Sequence, residues 1–377
     1  MKRIATKPRS RWEKKVEELG LIYHHTGDGV YWNESVYYEL SSREVDTLEA
    51  ATNSLQDLSI KAGQHVIDNN CFDQLGIPTA VVPLIKWAWQ EEPPAIYGRM
   101  DLAYDGVNPP KLLEYNADTP TALLEASIAQ WYWKEELFKS ADQFNSIHER
   151  LVKKWRELKK YLVGTRLHFA HINDPQGEDT MTATYLRDTA EEAGITTAGI
   201  IVGDIGWNGR RFVDMSNRVM TDVFKLYPWE WLVHEQFGPH LLSTYREMNW
   251  IEPIWKMLFS NKGILPILWE LNPGHPNLLP AYFDGPHDLS EYVRKPKLSR
   301  EGWNIEYHSS VGNVATAGEY GEEGFIFQGI GPVFRADGHY SVVGSWVIDQ
   351  ESAGIGIRES TGPITNNLST FVPHIFV

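Results

Sequence analysis

Two short segments decide the fold: YGRMDLAYDG at residues 97–106 and KLLEYNADTP at residues 111–120. Both are strand-like, and a turn rich in glycine and proline separates them. Because successive side chains along a strand point to opposite faces, Arg99 and Asp101 share a face, and so do Glu114 and Asn116. If the strands pair as a hairpin, these four polar groups converge on one patch. The opposite face then carries the apolar side chains of Met100, Leu102, Leu113 and Tyr115.

The patch has the composition of a magnesium site. Mg²⁺ prefers hard oxygen ligands, which Asp101, Glu114 and the amide oxygen of Asn116 supply. Arg99 beside them could hold a phosphate or an acyl phosphate through two hydrogen bonds. An R-x-D pattern alone more often forms an ordinary arginine–carboxylate network on a sheet surface. The E-x-N pattern on the next strand, followed by Pro120, favours a metal site.

A second E-x-N-P pattern occurs at Glu270, but it follows a helix-like run and has no partner R-x-D strand. We predict a structural role for it.

The paired patterns resemble those of ATP-grasp ligases, in which R-x-D and E-x-N residues hold the metals that bridge the ATP phosphates. The hairpin lies early in the chain, and both this position and its amino-acid sequence resemble those of the synthetase domain of the glutathionylspermidine synthase family. That family includes stand-alone members without an amidase domain. The likeness covers nearly the whole chain and is also carried by SNKGILPILWEL (260–271), YVRKPKLSREGWNI (292–305) and GIRESTGPITNNLSTFVPH (356–374).

This resemblance implies a fold and a reaction. The fold is α/β (α+β), an ATP-grasp-type arrangement of several lobes with a small open α/β lobe of the pre-ATP-grasp kind. The cofactors are ATP and Mg²⁺. The reaction activates a carboxylate, such as that of a peptide like glutathione, as an acyl phosphate, which an amine such as a polyamine attacks. The rival hypothesis is a degenerate ATP-grasp protein that binds or senses nucleotide without turnover, and the complete set of metal ligands counts against it.

The resemblance also implies nucleotide-binding residues. Lys262 and Lys295 match the ATP-binding lysines, with Lys256 and Lys297 as open alternatives. The loop at 299–302 could bring backbone N–H groups close to phosphate oxygens, although an ordinary β-turn explains the same residues. The remaining candidates are Arg300 and Gly302 in that loop, Gln328 on a strand that resembles the adenine-pairing one, and Arg358 for transition-state charge.

Acidic residues are the candidates for substrate recognition. Glu178 and Asp179 lie where a predicted helix begins, and the ordinary interpretation is helix capping. The resemblance supports recognition of a cationic substrate instead. Asp118 and Thr119, just after the second strand, are similar candidates.

Periodicity divides the chain into regions. A helix is predicted at 43–68 with Ser42 as its cap, and a helical region at 119–163 with a break near 140–144. Strand, helix and strand at 165–172, 179–193 and 197–202 predict a β-α-β unit. Residues 228–272 are predicted mainly helical, and strands are predicted at 292–298, 304–307, 325–330, 340–348 and 355–359. We expect one catalytic unit over 1–377, with the pre-ATP-grasp-like lobe near 165–250 and a nucleotide-clamping lobe near 255–350.

Composition narrows the partners and the location. A net charge of −15 argues against nucleic acid, which requires a basic surface. The longest apolar runs fall short of the roughly 20 residues that span a bilayer. The single cysteine, Cys71, permits no intramolecular disulfide and fits a reducing cytoplasm. Carboxylates near it in sequence should keep its thiol protonated, so we expect no thiol-dependent amidase activity. The family resemblance implies small-molecule substrates.

Overall fold

The computed structural model describes residues 1–27, 29–366 and 369–377. Its helices, in chain order, are α1 (Trp12–Glu18), α2 (Ser42–Asn69), α3 (Val82–Glu91), α4 (Gln130–Leu137), α5 (Ile147–Leu158), α6 (Glu178–Glu192), α7 (Trp229–Leu232), α8 (Gly238–Thr244) and α9 (Ile264–Leu271). Single helical turns lie at Cys71–Leu75, Lys159–Tyr161, Val202–Asp204, Tyr245–Glu247 and Ile254–Leu258, and a π-helical turn lies at Glu125–Ala129. None of the helices among these residues is long and apolar enough to cross a membrane.

The strands are more numerous and shorter. They are β1 (Lys2–Ala5), β2 (His25–Thr26), β3 (Gly29–Val30), β4 (Val36–Leu40), β5 (Tyr97–Ala103), β6 (Lys111–Asn116), β7 (Leu167–His171), β8 (Thr197–Ile201), β9 (Gly206–Trp207), β10 (Phe212–Val213), β11 (Asp222–Leu226), β12 (Asn249–Ile251), β13 (Ala281–Tyr282), β14 (Tyr292–Pro296), β15 (Glu306–Ser309), β16 (Gly312–Ala315), β17 (Phe325–Gly329), β18 (Arg335–Ala336), β19 (His339–Ile348), β20 (Glu351–Ser360), β21 (Thr370–Val372) and β22 (His374–Phe376).

An antiparallel sheet in the order β21-β20-β19-β5-β6, with β18 paired to β19, carries the predicted hairpin. Helix α2 packs against β19 and β20. The helix begins one residue earlier than predicted, because Ser41 is the cap and Ser42 is already helical. The Ser41 hydroxyl accepts the Glu44 N–H, and the Glu44 carboxylate accepts the Ser41 N–H, which is a capping box.

A second sheet, in the order β12-β11-β7-β8, is wholly parallel, and α6 connects β7 to β8. The predicted β-α-β unit is therefore confirmed. The prediction that 228–272 is mainly helical is wrong in its middle, where β12 forms the edge of this sheet and the helices on either side have four to eight residues. Prolines at 228 and 253 precede the first residue of a helical segment, and prolines at 239 and 266 lie in the first turn of one. A missing N–H is tolerated at those positions, so each proline marks the start of a separate short segment.

A third, antiparallel sheet has the order β13-β17-β14-β15-β16. Three of its strands were predicted, with differences of a few residues at their ends. Two smaller hairpins and the three-stranded sheet β1-β4-β22 complete the strand pairing of the described residues.

The helical region predicted to begin at 119 starts only after Ala122. Pro120 and the positive φ of Ala122, 63°, hold residues 119–122 outside the helix. The predicted break is present, since α4 ends at Leu137 and α5 begins at Ile147. The non-helical residues 119–122 instead line a cavity.

Candidate active site

A cavity of about 270 Å³ opens beside the hairpin. Its walls come from separate parts of the chain: two tyrosines near the N-terminus (Tyr23 and Tyr31), β5 and β6, residues 119–122, the start of α6, residues 226–231, the loop at 299–302, and the C-terminal segment from β20 onward. Segments that are far apart in sequence therefore contribute to one pocket.

The hairpin register brings the four predicted polar residues together. Arg99 lies opposite Asn116 and Asp101 opposite Glu114, and all four line the cavity. A bulge after Asp101 then pairs Leu102 with Leu112. Because one extra residue shifts the alternation, Leu112 is fully buried and Leu113, predicted for the apolar face, is only half-buried.

Asp101 is held between two arginines. Its Oδ1 accepts Arg99 Nε at 2.7 Å, and its Oδ2 accepts Arg358 Nη2 at 2.6 Å. Arg358 lies on β20, two strands away from Asp101. The glycine between them matters, because a Cβ on Gly344 would stand 2.9 Å from Cδ of Arg99. The predicted catalytic arginines, Arg99 and Arg358, thus meet on one carboxylate.

Glu114 lies among cations from three parts of the chain: Lys262 just before α9, Lys295 on β14 of the third sheet, and Arg99 on β5. Its Oε2 is 2.9 Å from Lys262 Nζ, and its Oε1 accepts Asn116 Nδ2 at 3.2 Å. Burial would raise the pKa of Glu114, but Lys262, Lys295 and Arg99 together hold it at about 2. Burial lowers the pKa of Lys295 to about 8, against the opposing influence of Glu114.

Lys295 and Gln328 join the third sheet to the hairpin. Lys295 Nζ donates to the Leu113 carbonyl at 3.0 Å and to Gln328 Oε1 at 2.7 Å, and Gln328 Nε2 donates to the Leu112 carbonyl at 2.9 Å. Both side chains are buried and lie behind the cavity wall.

The two alternative lysines lie elsewhere. Lys256 forms an ion pair with Glu252 at 2.9 Å and donates to the Tyr97 carbonyl, inside the core. Lys297 is half-buried with its ammonium 5.6 Å from the centre of the Phe283 ring. The contacts with Glu114 and β6 therefore favour Lys262 and Lys295 as the nucleotide lysines.

The hairpin oxygens fit Mg²⁺ by their chemistry. The carboxylates of Asp101 and Glu114 project from paired positions, and the amide of Asn116 lies two residues further along β6. Mg²⁺ in proteins usually adds waters and substrate phosphates to such oxygen ligands. No group of three or more His, Cys, Asp or Glu side chains suited to a metal occurs in the described part of the chain. A softer, all-protein metal site is thus not found among those residues.

The loop at 299–302 closes one side of the cavity. Arg300 donates to Thr119 Oγ1 at 2.8 Å and to Glu230 Oε1 at 2.5 Å, so its charge is already paired. Gly302 has φ 71°, and a Cβ there would lie 2.5 Å from the Thr365 carbonyl oxygen. Glycine is therefore required where this loop packs against the C-terminal segment.

An acidic wall faces the cavity from the start of α6. The side chain of Asp174 caps the start of α6, because it accepts the N–H groups of Asp179 and Thr180. Capping is the role that the ordinary interpretation gave to Glu178 and Asp179. Glu178 and Asp179 line the cavity instead. Burial raises the pKa of both, and Glu178 and Asp174 add to the effect on Asp179, which reaches about 7.

Asp118 has a different place from the one predicted. It is fully buried, forms a 2.5 Å ion pair with Lys225 and accepts the Trp229 N–H, and it is not among the lining residues. Its neighbour Thr119 does line the cavity. The position of Asp118 favours an internal role, which is to anchor residues 119–121.

Sequence reasoning missed one cavity residue and a buried acid behind it. Tyr31 lines the cavity, and its hydroxyl donates to the buried Glu125 at 2.8 Å. No local pattern connects these two residues, which are 94 positions apart. Glu270 lies outside the cavity lining at the exposed end of α9, and Cys71 is half-buried in a helical turn.

The family described as glutathionylspermidine synthase preATP-grasp matches residues 3–377. The chain therefore belongs to this family, and it is an enzyme of the ligase class.

Similar proteins agree with that membership. The chain is 39% identical to "Putative acid--amine ligase" of Haemophilus influenzae over the full length of both. It is 28% identical to trypanothione synthetase of Crithidia fasciculata and to bifunctional glutathionylspermidine synthetase/amidase of Escherichia coli, and spans 56% and 59% of those longer proteins. The fold is similar to that of a glutathione synthetase-like effector of Globodera pallida, with a TM-score of 0.60 at 8% identity over 90% of this chain and 89% of that one.

Proposed function

We propose that the chain is an ATP- and Mg²⁺-dependent ligase that joins a carboxylate to an amine through an acyl phosphate. The observation that carries this proposal is the meeting, in one cavity, of an acidic wall from α6 with a hairpin wall on which four cations surround two carboxylates. Arg99 and Arg358 line it on the hairpin side, and Glu178 and Asp179 line it from α6. Such a cavity suits an anionic and a cationic reactant at once.

Charge near the hairpin supports polyphosphate binding. Two carboxylates, Asp101 and Glu114, are surrounded by three cations in direct contact with them, Arg99, Arg358 and Lys262. Lys295 adds a fourth positive charge close to Glu114. This excess of cations, together with Mg²⁺ on the three oxygen ligands, would neutralise ATP phosphates and the charge that develops during phosphoryl transfer.

In this proposal, different residues bind the nucleotide, the acyl phosphate and the amine. Lys262, Lys295 and Gln328 mark the nucleotide side, with the loop at 299–302 over the phosphates. Arg99 and Arg358 would hold the acyl phosphate, and Mg²⁺ when bound would supply charge stabilisation there. Glu178 and Asp179 would hold the ammonium group of the amine substrate, with Thr119 at the wall between.

The substrates are proposed from the relatives. A peptide carboxylate such as that of glutathione and a polyamine such as spermidine are the first candidates, because these compounds appear in the names of similar proteins. The acidic wall supports a cationic amine independently of those names. A cytoplasmic location is part of the proposal and rests on the single cysteine.

The test is turnover with a substrate panel. Purified protein would be incubated with ATP and MgCl₂ against glutathione and other peptides, each combined with spermidine, shorter diamines or ammonia. We expect ADP release that depends on both substrates, and a product whose mass equals their sum less one water. Glu114→Gln should abolish turnover, and Glu270→Gln is the matched control outside the cavity.

ATP binding by calorimetry without ADP release for any pair would contradict the proposal. That result would favour the nucleotide-binding alternative.

A further inference from the structure

A ligase that uses an amine must remove a proton from it. An alkylamine has a pKa near that of lysine, about 10.4, so it enters the site as an ammonium ion without a lone pair. A proton acceptor with a pKa close to the working pH is most effective in such a step. In the proposed function the lysines, arginines and metal ligands bind phosphates and the acidic wall binds the ammonium group, which leaves the proton acceptor to be identified.

Glu125 lies in an unusual place for a carboxyl group. Glu125 is only 2% exposed to solvent, and it is the first residue of the π-helical turn Glu125–Ala129. π-Helical turns inside helices are frequent at functional sites. Among the residues that the structure describes, no lysine, arginine or histidine forms an ion pair with Glu125. A buried acid without a cationic partner is costly, so a role beyond packing is expected.

Tyr31 connects this acid to the cavity. Its hydroxyl donates to Glu125 Oε1 at 2.8 Å, and its side chain lines the cavity wall. Tyr31 also lies close enough to Arg358 for that charge to influence its hydroxyl. The hydrogen-bonded pair of Tyr31 and Glu125 therefore lies on the side of the cavity where the acyl phosphate would be held.

The charges around the pair suit proton acceptance. Burial raises the pKa of Glu125, and Glu178 on α6 adds to the rise. Hydrogen bonds from its own backbone N–H and from Tyr31, together with the charge of Arg99 on β5, oppose it, so that the pKa is about 7. Burial also keeps the pKa of Tyr31 well above its usual value, so the phenol remains protonated. Other titratable groups on the packed helices have their own partners: His148 on α5 bonds Tyr185 and Glu192, and Lys134 on α4 bonds Glu135.

We propose that Glu125 is the proton acceptor for the attacking amine, with the Tyr31 hydroxyl as the relay between them. This inference rests on the proposed ligase function. The amine nitrogen gives its proton to the Tyr31 oxygen while the Tyr31 proton passes to Glu125. The freed lone pair forms the C–N bond. As the C–O bond to phosphate breaks, its electron pair leaves on the phosphate, which takes up the second N–H proton and departs as hydrogen phosphate, so the amide nitrogen is neutral. Glu125 later releases the proton through Tyr31 to water.

The rival acceptors are Glu178 and Asp179. They line the cavity and belong to an acidic group with Asp174, which suits holding an ammonium ion. A residue that binds the ammonium should affect the KM of the amine, whereas a proton acceptor should affect kcat. The two roles can therefore be separated by kinetics.

The experiment compares two nucleophiles, using the acid and amine pair found in the panel. Hydroxylamine is a much weaker base than an alkylamine and is uncharged at neutral pH, so it attacks the acyl phosphate without a proton acceptor. Glu125→Gln keeps an oxygen that accepts the Tyr31 hydroxyl but takes up no proton. We expect it to lower kcat with the amine about 10²-fold or more and to leave hydroxamate formation within a few-fold of wild type.

Three controls make the result specific. Tyr31→Phe should reproduce the selective loss, because it removes the relay. Tyr23→Phe alters a second cavity tyrosine, whose ring lies 4.9 Å from that of Tyr31, and should leave the ratio of amine to hydroxylamine rates unchanged. Asp179→Asn should raise the KM of the amine. Thermal unfolding of each variant establishes that it is folded.

The pH profile gives an independent readout. With the amine, kcat of the wild type should fall below about pH 7 as Glu125 becomes protonated. With hydroxylamine the fall should begin only at lower pH, where hydroxylamine itself takes up a proton. Equal losses with both nucleophiles in Glu125→Gln, or no loss with either, would overturn the inference. Failure of the wild type with every acid and amine would instead contradict the proposed function.

Discussion

Lys262→Met tests the assignment of the nucleotide lysines, with Lys256→Met as its matched control. Lys262 Nζ contacts Glu114 Oε2 and the Ser299 carbonyl, which uses two of its three N–H groups. Lys262 is buried beside Glu114 and is not itself among the residues that line the cavity, and in the proposed function its third N–H would donate to a phosphate. A hydrogen bond to a charged group contributes about 1.5–3 kcal/mol, so its loss should raise the Kd of ATP by about 10- to 150-fold.

The two lysines should differ in their effect on folding. Glu114 is 27% exposed on the cavity side, so it stays hydrated when Lys262 is removed and the fold should be little affected. Glu252 is fully buried, and removing Lys256 leaves its charge unpaired. Breaking such a pair costs about 3–5 kcal/mol. Lys256→Met should therefore unfold at lower urea concentration while the folded protein still binds ATP.

The assay is calorimetric titration with ATP and MgCl₂, alongside urea unfolding of each variant. Wild-type ATP affinity in Lys262→Met would refute the reasoning. So would a loss of affinity in Lys256→Met, measured where that variant is folded, as large as the loss in Lys262→Met.

Three further predictions follow from the cavity. Asp101→Asn should lower ligase turnover about 10²-fold or more without unfolding the protein, measured by ADP release and by circular dichroism. Gly344→Ala should push Arg99 aside and destabilise the fold by about 1–3 kcal/mol in urea titration, because its Cβ would stand 2.9 Å from the Arg99 side chain. The KM of the amine should rise as pH falls through about 7, since protonation of Asp179 removes a negative charge that holds the ammonium; a flat KM would contradict this.

The hairpin was predictable because its information is local. Alternation along two adjacent strands placed Arg99, Asp101, Glu114 and Asn116 on one face, and tight turns are easily recognised between such strands. The bulge that buries Leu112 instead of Leu113 was not predictable, since it depends on how the two strands pair.

The prediction of a mainly helical region at 228–272 was wrong for a related reason. Its aromatic residues suit either a helix or a strand, and the choice is made by tertiary packing. Asn249–Ile251 becomes a strand because an edge of the parallel sheet is available beside β11. Local propensity does not contain that information.

Asp118 shows how a residue next to a motif can leave the site. Continued strand alternation would have placed it on the face of Asn116, but the strand ends at Asn116. The Ser260 hydroxyl accepts the N–H groups of residues 117 and 118, which takes them away from the sheet. The Asp118 side chain is buried against Lys225, 107 residues away, rather than in the cavity. Its buried ion pair then fixes the following residues, 119–122, where they form the cavity wall, so its effect on the site is indirect.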